Sequence, residues 1–508
     1  MRTRRITPPV FLSITFGTPF LLVILITHGL SEITIPMFFW LFGIYFLGVN
    51  VGYMLASVAV VVELTWRETR QKRYSATSSF SVSFGSKESA TEISGRGFPR
   101  TAILYLVRND ISGLRSRLRF TMSNNRNHGI WLVSDSSPEF VRREKEIAQI
   151  LGIYYCRRDK GRNRKHGAIK DWLVAYGHRY KYMVLCDADS LLPENFVDRL
   201  VTLAESPQYS HAAVLQAEPR VANAVTGFAK FQSIGTLVCS QVYQKALQAV
   251  FGGICYFGHN CLVRINDFSN AKIPDGVLSH DMWESAALDM RGKKCALIHG
   301  VVGYEEAPVN YLECVKRNAR WARGTLETLP LVFRRGLSAG MRFQLYYSSH
   351  LFLSHFVFLL WLISGLLVSV EQNYLVFHSG ANFTASGIVF SSIFLAQFIG
   401  STTTQGIRSR LKHLLFTTLM LANNLIYVSL AVITILFPAK WQPMKKNPGA
   451  MLSFKECAVS LWTSAVAGLG CFVIGARWAQ LWLLFSLPIV TGLILAIPLA
   501  WWSARRKY

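Results

Sequence analysis

The segment Tyr182–Ser190 reads YMVLCDADS and carries the clearest structural signal in the chain. Its apolar half, Tyr182–Cys186, is typical of a short strand that is buried on both faces of a parallel sheet. Asp187 and Asp189 follow at once, at the strand end where ligands collect in open α/β sheets. An aspartate pair of this spacing arises by chance about once in a chain of this length, so its meaning depends on the surrounding segments.

Apolar segments of strand length recur on both sides of this one, from Thr101 to about Arg335. They alternate with stretches of helical spacing such as Glu139–Leu151 and Asn195–Ala204. Strands that alternate with helices predict an α/β domain with a largely parallel sheet and helices on both faces. The other predicted strands are Ala102–Val107, Ile130–Ser134, Gly152–Cys156, Ala212–Gln216 and Cys295–His299.

The composition indicates that this domain belongs to a membrane protein. Of the 508 residues, 51% are hydrophobic and 16% are charged. Soluble domains have about 25% charged residues, so a wholly soluble or disordered chain is excluded. The formal net charge of +25 suits either nucleic acid or a membrane surface with an anionic substrate. The nine cysteines contain no CxxC pair and do not form a disulfide framework.

Long apolar runs flank the predicted α/β domain. Val10–Ile26 and Met37–Val62 predict two N-terminal transmembrane helices, and the runs after Gly336 predict more. The predicted organisation is two N-terminal transmembrane helices (1–65), a basic and Ser-rich cytosolic linker (66–100), the α/β domain (101–335) and a C-terminal transmembrane region (336–508).

Positive charge orients the C-terminal runs, because cytosolic loops are rich in Lys and Arg. If all three basic clusters of this region are cytosolic, the run Leu414–Phe437 is re-entrant or interfacial, which its Asn423 and Asn424 favour. That gives about six spans, with one more as the alternative. The clusters are Arg408–Lys412, Lys440–Lys446 and Arg505–Lys507, and the predicted C-terminal spans are Leu345–Val370, Gly387–Gly400, Leu461–Gly475 and Leu481–Trp501.

Two further aspartates accompany the pair after the central strand. Asp135 directly follows the second predicted strand, and Asp281 lies at the start of a predicted helix, Met282–Met290. Hard carboxylate oxygens from Asp187 and Asp189, joined by two phosphate oxygens, complete an octahedral shell for Mg²⁺. The alternative for such a pair is a turn with an aspartate cap.

Two basic segments lie near these aspartates in the sequence. Arg157–Lys165 precedes a helix predicted from Ala168, and a helix N-terminus with Lys165 beside it suits phosphate oxygens. In the second segment, Arg320 offers bidentate donors for a pyrophosphate, and Trp321 offers a flat face for a sugar ring. The alternatives are a solvated or lipid-facing surface for the first segment and juxtamembrane anchors for the second.

The order of these residues resembles a known family pattern. Asp135, Asp187-Ala188-Asp189, Ser279-His280-Asp281 and Arg320-Trp321 are similar to the D, DxD, (E/H)D and QxxRW motifs of membrane-embedded processive glycosyltransferases of family two. That family includes cellulose, chitin and hyaluronan synthases. Further segments resemble its branch that makes osmoregulated periplasmic glucans: Asn109-Asp110, Ser134–Ser136, Arg157–Gly167, Gly258–Asn260, Leu278–Glu284, Gly303–Asn310 and Arg317–Gly324.

Arg317 stands where the QxxRW motif has Gln, which agrees with the glucan branch and not with cellulose or hyaluronan synthases. The resemblance implies a GT-A α/β domain inserted in an all-α transmembrane bundle, on the cytosolic side of a bacterial inner membrane. It implies inverting transfer of glucose from UDP-glucose to a growing β-glucan, with Mg²⁺ (or Mn²⁺) as cofactor. The implied partners are the glucan acceptor chain, membrane lipids and periplasmic glucan-processing proteins, without nucleic acid. The branch commonly has long cytosolic extensions at both ends that this sequence lacks, so regulation through such extensions is not expected here.

The same resemblance assigns roles to residues. It makes Asp281 the general base that takes the acceptor hydroxyl proton. It places the uridine at Asp135, and the metal with the diphosphate at Asp187 and Asp189. The other implied substrate-binding residues are Arg320 for the diphosphate, Trp321 for the acceptor sugar, and Lys165, Asn109, His259 and Asn260.

Export of a polar polymer needs a protein path, since each buried hydroxyl without a partner costs roughly 2–7 kcal/mol. Polar side chains within the membrane runs are candidates for its lining, and helix–helix hydrogen bonds are the alternative. The candidates are Tyr346, Tyr347, Asn423, Asn424 and Tyr427, and Trp441–Lys446 lies where the family has a mobile cytosolic loop.

Two other functions remain open from the sequence. One is another family-two polysaccharide synthase that uses a different UDP-sugar. The other is a membrane anchor or transporter whose basic domain binds nucleic acid or acidic lipid. The second is disfavoured because a carboxylate cluster repels phosphate unless a metal ion bridges them.

Overall fold

The computed structural model of the chain describes residues 6–27, 34–77, 100–158, 163–371, 406–436 and 452–505. The predicted span Gly387–Gly400 and the loop Trp441–Lys446 lie outside these residues. The strands are β1 (Thr101–Val107), β2 (Gly129–Ser134), β3 (Tyr154–Arg157), β4 (Tyr182–Asp187), β5 (Ala212–Val221), β6 (Cys261–Arg264) and β7 (Lys294–Glu305). The helices are α1 (Pro8–Thr27), α2 (Ile35–Thr77), α3 (Leu114–Asn124), α4 (Pro138–Leu151), α5 (Arg164–Tyr176), α6 (Phe196–Glu205), α7 (Gly227–Val238), α8 (Lys245–Phe251), α9 (Ile265–Phe268), α10 (His280–Asp289), α11 (Tyr311–Leu326), α12 (Ala339–Glu371), α13 (Ile407–Ile433), α14 (Phe454–Trp478), α15 (Gln480–Ile494) and α16 (Ala496–Ser503).

The strands form one seven-stranded sheet in the order β3-β2-β1-β4-β6-β5-β7. β1 pairs in parallel with β2 and β4, β2 with β3, and β5 with β7, which confirms the α/β class and the largely parallel sheet. β6 is antiparallel to β4 and β5. It is not among the predicted strands.

The strand register brings chemically important segments to one edge of the sheet. Leu106, near the end of β1, pairs with Asp187 at the end of β4. Asp135 follows the last residue of β2, so both aspartates leave the sheet at this edge, on either side of β1. Because β6 runs the other way, its first residue, Cys261, pairs with Leu185 close to the same edge.

Helices cover both faces of the sheet, as predicted. On one face Ile103 and Tyr105 of β1 pack against α3, α4 and α6. On the other face Leu104 and Leu106 pack against α5, whose Trp172 is fully buried. This alternation follows from the two-residue period of a strand.

Several boundaries differ from the prediction, and two of these differences concern the basic segments. α5 begins at Arg164 instead of Ala168, so Lys165 lies inside its first turn. The basic start of the 66–100 linker is helical, because α2 continues as far as Thr77.

α1 and α2 pack antiparallel as a hairpin at the N-terminal end of the described chain. Glycines of α2 permit the close approach. A Cβ on Gly48 would lie 2.7 Å from the Cα of Pro19, and one on Gly52 would lie 2.4 Å from the carbonyl oxygen of Thr15. Small residues at such crossings are typical of transmembrane helix pairs.

Within the described residues, three helices are long and apolar enough to span a membrane: segments of α2, α12 and α14. The number rises to five if each of two bent pairs is one span, namely α13, which bends by 41°, and α15 with α16, which bend by 57°. α1 is a shorter apolar helix. The chain is therefore a membrane protein, and the total of about six crossings stays a prediction.

The polar side chains considered for a polymer path are hydrogen-bonded within the helix bundle. Tyr347 donates to Asn50 of α2 at 3.2 Å, and Asn423 donates to the carbonyl of Gly492 in α15 at 3.2 Å. Both contacts join helices, which is the alternative that the sequence left open. Asn424 accepts from Tyr311, Tyr427 donates to the carbonyl of Ser460, and Tyr346 lies 3.4 Å from His350 of its own helix.

The α/β domain meets the membrane helices through α8 and the π-helical turn Cys239–Gln244 before it. Tyr243 in that turn stacks on Tyr53 of α2, with ring centroids 5.4 Å apart. Gly340 of α12 lies against Phe251 of α8, where a Cβ would sit 2.6 Å from the Phe251 Cβ. The contact therefore requires glycine on the membrane side.

We expect Gly340→Ala to lower the free energy of unfolding by about 1–3 kcal/mol, because overpacking forces α8 and α12 apart. Gly235→Ala in α7 is the control, since a Cβ there meets nothing within 4 Å. It should stabilise the protein by about 0.5–1 kcal/mol through helix propensity. Unfolding midpoints of the two purified variants test this, and equal shifts would contradict the proposed packing.

Candidate active site

The centre of the site is a contact between Asp187, at the end of β4, and Lys165, in the first turn of α5. The Lys165 ammonium donates to Asp187 Oδ1 and, at 2.8 Å, to the carbonyl of Gly258. Burial by itself would lower the pKa of Lys165, but the Asp187 carboxylate outweighs burial and raises it. Lys165 therefore stays charged between the two segments that it joins.

Asp281 lies close to this pair. Its carboxylate also raises the pKa of Lys165, although less than Asp187 does. Gly258, whose carbonyl accepts from Lys165, adopts φ +79°. A Cβ on Gly258 would lie 3.3 Å from the Asp281 Cβ, so Asp281 is close to this segment as well. The structure thus gathers Lys165, Asp187 and Asp281, which lie far apart in the sequence.

Arg320 of α11 also lies near the aspartate pair. Burial lowers the pKa of Arg320, while the carboxylates of Asp187 and Asp189 oppose that effect. The neighbouring Trp321 is 47% exposed, and the Arg317 guanidinium lies 4.2 Å from the centre of its ring. The Trp321 indole is therefore partly accessible, with Arg317 over one face of its ring.

His259 is another neighbour of Asp187. Its Nδ1 lies 3.7 Å from Asp187 Oδ2 and 2.9 Å from the carbonyl of Phe257, and its Nε2 bonds the Glu305 carboxylate at the end of β7. Burial would lower the pKa of His259, but Glu305 raises it to about 9. His259 is therefore an imidazolium at neutral pH and a second cation beside Asp187.

Asp135 is held by a buried arginine. The Arg158 guanidinium, 3% exposed, lies 3.3 Å from Asp135 Oδ1 and 2.7 Å from Asp171 Oδ2. It also donates to the carbonyl of Arg164 at 3.0 Å, which ties Asp135 to the start of α5. Burial raises the pKa of Asp135, and Arg158 with Arg108 opposes this.

Asp189 is buried more deeply than Asp187. Its Oδ2 accepts the backbone N–H of Glu306 at 3.3 Å. Glu306 in turn forms a bidentate pair with Arg117 of α3, and Arg117 also donates to the carbonyl of Ala188 at 3.0 Å. The turn after β4 is thus fixed to the end of β7.

The two predicted substrate-binding asparagines make hydrogen bonds to the protein itself. The Asn109 amide donates to Ser137 Oγ at 3.0 Å and accepts from the Ser137 N–H at 2.8 Å, which joins the loops after β1 and β2. Asn260 is buried and donates to the carbonyl of Tyr304 at 3.2 Å. Both residues adopt positive φ.

Arg158, Glu305 and Glu284 are residues of this region to which the sequence alone assigns no role. Glu305 ends a strand as Asp187 does, and that signal was available in the sequence. Arg158 was one cation among many in a basic segment, and only the fold reveals which carboxylates it reaches. Among the described residues, no group of three or more His, Cys, Asp and Glu side chains is arranged to hold a metal ion.

A family model for glycosyl transferase family group 2 matches residues 182–504, more than half of the chain. The chain therefore belongs to that family and is a glycosyltransferase. Together with the sheet order, this confirms the GT-A α/β domain.

Curated relatives named glucans biosynthesis glucosyltransferase H confirm the predicted resemblance to the glucan branch. The one from Bradyrhizobium diazoefficiens is 29% identical over 272 residues, which cover 50% of this chain and 35% of that protein. The one from Rhodopseudomonas palustris is 27% identical over 428 residues, which cover 74% of this chain and 59% of that protein. The chain therefore matches about a third to three fifths of the length of these relatives.

Among solved structures, the mannosyltransferase PcManGT from Pyrobaculum calidifontis, in complex with GDP-Man and Mn²⁺, aligns with a TM-score of 0.46 at 15% identity. The alignment covers 67% of this chain and 88% of that chain. The likeness is too loose to transfer any residue or ligand.

We expect Arg158→Lys to lower the free energy of unfolding by about 1–3 kcal/mol, because an ammonium lacks the fork that reaches two carboxylates and a carbonyl at once. Arg157→Lys is the matched control, since Arg157 is exposed at the adjacent position and should shift stability by less than about 0.5 kcal/mol. Denaturant unfolding of both variants measures the difference, and similar values would contradict the bridging role.

Proposed function

We propose that the protein is an inner-membrane processive glucosyltransferase that transfers glucose from UDP-glucose, with inversion, to a growing β-glucan and moves the product across the membrane. The names of the curated relatives support the substrate class. The observation that carries the proposal is the position of Lys165 between Asp187 and Asp281. This position brings a cation that can bind the leaving diphosphate close to a carboxylate that can accept the proton of the acceptor.

Asp135 is proposed to bind the uridine, and its pairing with Arg158 supports this. The pair fixes the Asp135 carboxylate beside the N-terminus of α5, whose N–H groups favour a diphosphate. The first turn of α5 contains Lys165, so the base and the phosphates of one nucleotide have adjacent partners.

Asp187 and Asp189 are proposed to hold Mg²⁺ or Mn²⁺ together with the diphosphate. Their donor set fits, because carboxylate oxygens are the ligands that these hard cations prefer, and the Asp187 side chain is 39% exposed. When bound, the ion neutralises charge on the departing UDP. Lys165 and Arg320 add fixed positive charge at the same diphosphate.

Asp281 is proposed as the general base. Its carboxylate takes the proton of an acceptor hydroxyl while the acceptor oxygen bonds the anomeric carbon of glucose. The bond from that carbon to the phosphate oxygen breaks, and its electron pair leaves with UDP. Attack opposite to the leaving group inverts the anomeric centre. Trp321, with its exposed indole face, is proposed to stack on the acceptor sugar.

The membrane helices support a cytosolic α/β domain next to an export path. α11, which contains Arg320 and Trp321, packs on α13 and α12. A product released at Trp321 is thus formed beside the helices that it has to pass.

The product assay tests the proposal. Membranes containing the protein should incorporate label from UDP-glucose into polymer, with little from UDP-N-acetylglucosamine, and linkage analysis should give a β-glucan. EDTA should stop incorporation, and excess Mg²⁺ or Mn²⁺ should restore it. Preference for another UDP-sugar would favour the alternative synthase.

We expect Asp281→Asn to reduce polymer synthesis by about 10²–10⁴-fold, because an amide does not take the proton. UDP binding, measured by calorimetry, should change little. Asp267→Asn in α9 is the matched control, since Asp267 pairs with Lys293 at 2.9 Å, outside the proposed site. Full activity of the Asp281 variant would refute the assignment of the base.

A further inference from the structure

A second carboxylate on α10 is completely buried. Glu284 lies one turn after His280, and its side chain is 0% exposed. It accepts hydrogen bonds from His166 Nδ1 at 2.6 Å, from His280 Nδ1 at 3.0 Å and from the Tyr256 hydroxyl. A buried ion pair seldom adds stability beyond that of an apolar core, so this cluster calls for a functional explanation.

Each donor to Glu284 is next to a residue of the proposed site. His166 follows Lys165 on α5, and His280 precedes Asp281 on α10. Tyr256 lies in the segment that leads to Gly258, whose carbonyl accepts from Lys165. One carboxylate thus joins the three segments that place the diphosphate cation, its carbonyl partner and the base.

We propose that Glu284 is a positioning residue, which aligns Lys165 with Asp281 through His166, Tyr256 and His280. The effect of Glu284 on catalysis rests on the proposed function, whereas the hydrogen-bonded cluster does not.

The charges in the cluster agree with this role. Burial would raise the pKa of Glu284, but His280 and His166 lower it to about 2, so it is ionised at neutral pH. Burial would lower the pKa of His280, but Glu284 raises it. The other titratable groups that face the cluster are Lys165 on α5, Asp281 on α10, Cys261 on β6, Cys295 on β7 and Glu327 after α11.

We expect Glu284→Gln to lower kcat by about tenfold to a hundredfold, because small displacements of reacting groups are costly. The KM for UDP-glucose should change by less than about threefold, because the donor contacts lie on other residues. The control is Asp289→Asn at the other end of α10. Asp289 is also buried, but it binds Lys294 at 2.6 Å and the Ser338 N–H at 2.7 Å, outside the site. Its kcat should stay within about twofold.

A second measurement does not need activity. A raised His280 pKa means that the pairing with Glu284 stabilises the fold fully below the ordinary histidine pKa and loses this effect as pH rises through the raised value. The difference in unfolding midpoint between wild type and Glu284→Gln should therefore be larger at about pH 6 than at about pH 9. For His280→Gln, the difference in unfolding midpoint from wild type should also become smaller as the pH rises. For Asp289→Asn it should not, because the partner of Asp289 is a lysine.

The outcomes separate the two proposals. No transfer from UDP-glucose by the wild type refutes the proposed function, and the midpoint series then decides whether the cluster exists as described. Transfer by the wild type with an unchanged kcat in Glu284→Gln refutes the positioning role. A midpoint difference that is the same at both pH values refutes it as well. If Glu284→Gln does not fold, the same two measurements, kcat and the unfolding midpoint at the two pH values, are made on His280→Gln and test the proposal.

Discussion

The site depends on cations placed among carboxylates that would otherwise repel one another. Asp135, Asp187 and Asp281 approach the same edge of the sheet, and Asp187 is paired with Lys165 while Asp135 is paired with Arg158. Two like charges about 4 Å apart in a partly buried site repel by about 4 kcal/mol. Part of the net charge of +25 thus lies at the ends of the strands, among the carboxylates.

Much of the fold was predictable because each signal was local. The apolar run before Asp187 is buried on both faces, so its sequence identifies a central strand. An acidic residue directly after such a strand lies at the ligand-binding edge whatever the rest of the chain does. Asp135 and Asp187 were therefore found from sequence, and the family resemblance added Asp281 and Arg320, which lie on helices.

The remainder required tertiary structure. β6 has only four residues, and it is antiparallel to a strand on each side, β4 and β5. Arg158 and Glu284 bind residues far away in the sequence, and no spacing predicts that His166 reaches Glu284. Likewise, the polar residues in the membrane helices look alike in sequence, whether they line a path or join two helices.

The direction of β6 has a consequence for how the loops of this domain tolerate length changes. His259 and Asn260 reach the ligand-binding edge as the chain enters β6, whereas Asp135 and Asp187 reach it as the chain leaves β2 and β4. An insertion or deletion before β6 would therefore shift His259 directly. After Arg264 the chain is at the opposite edge of the sheet, so length variation there leaves the proposed site residues on β2 and β4 in register.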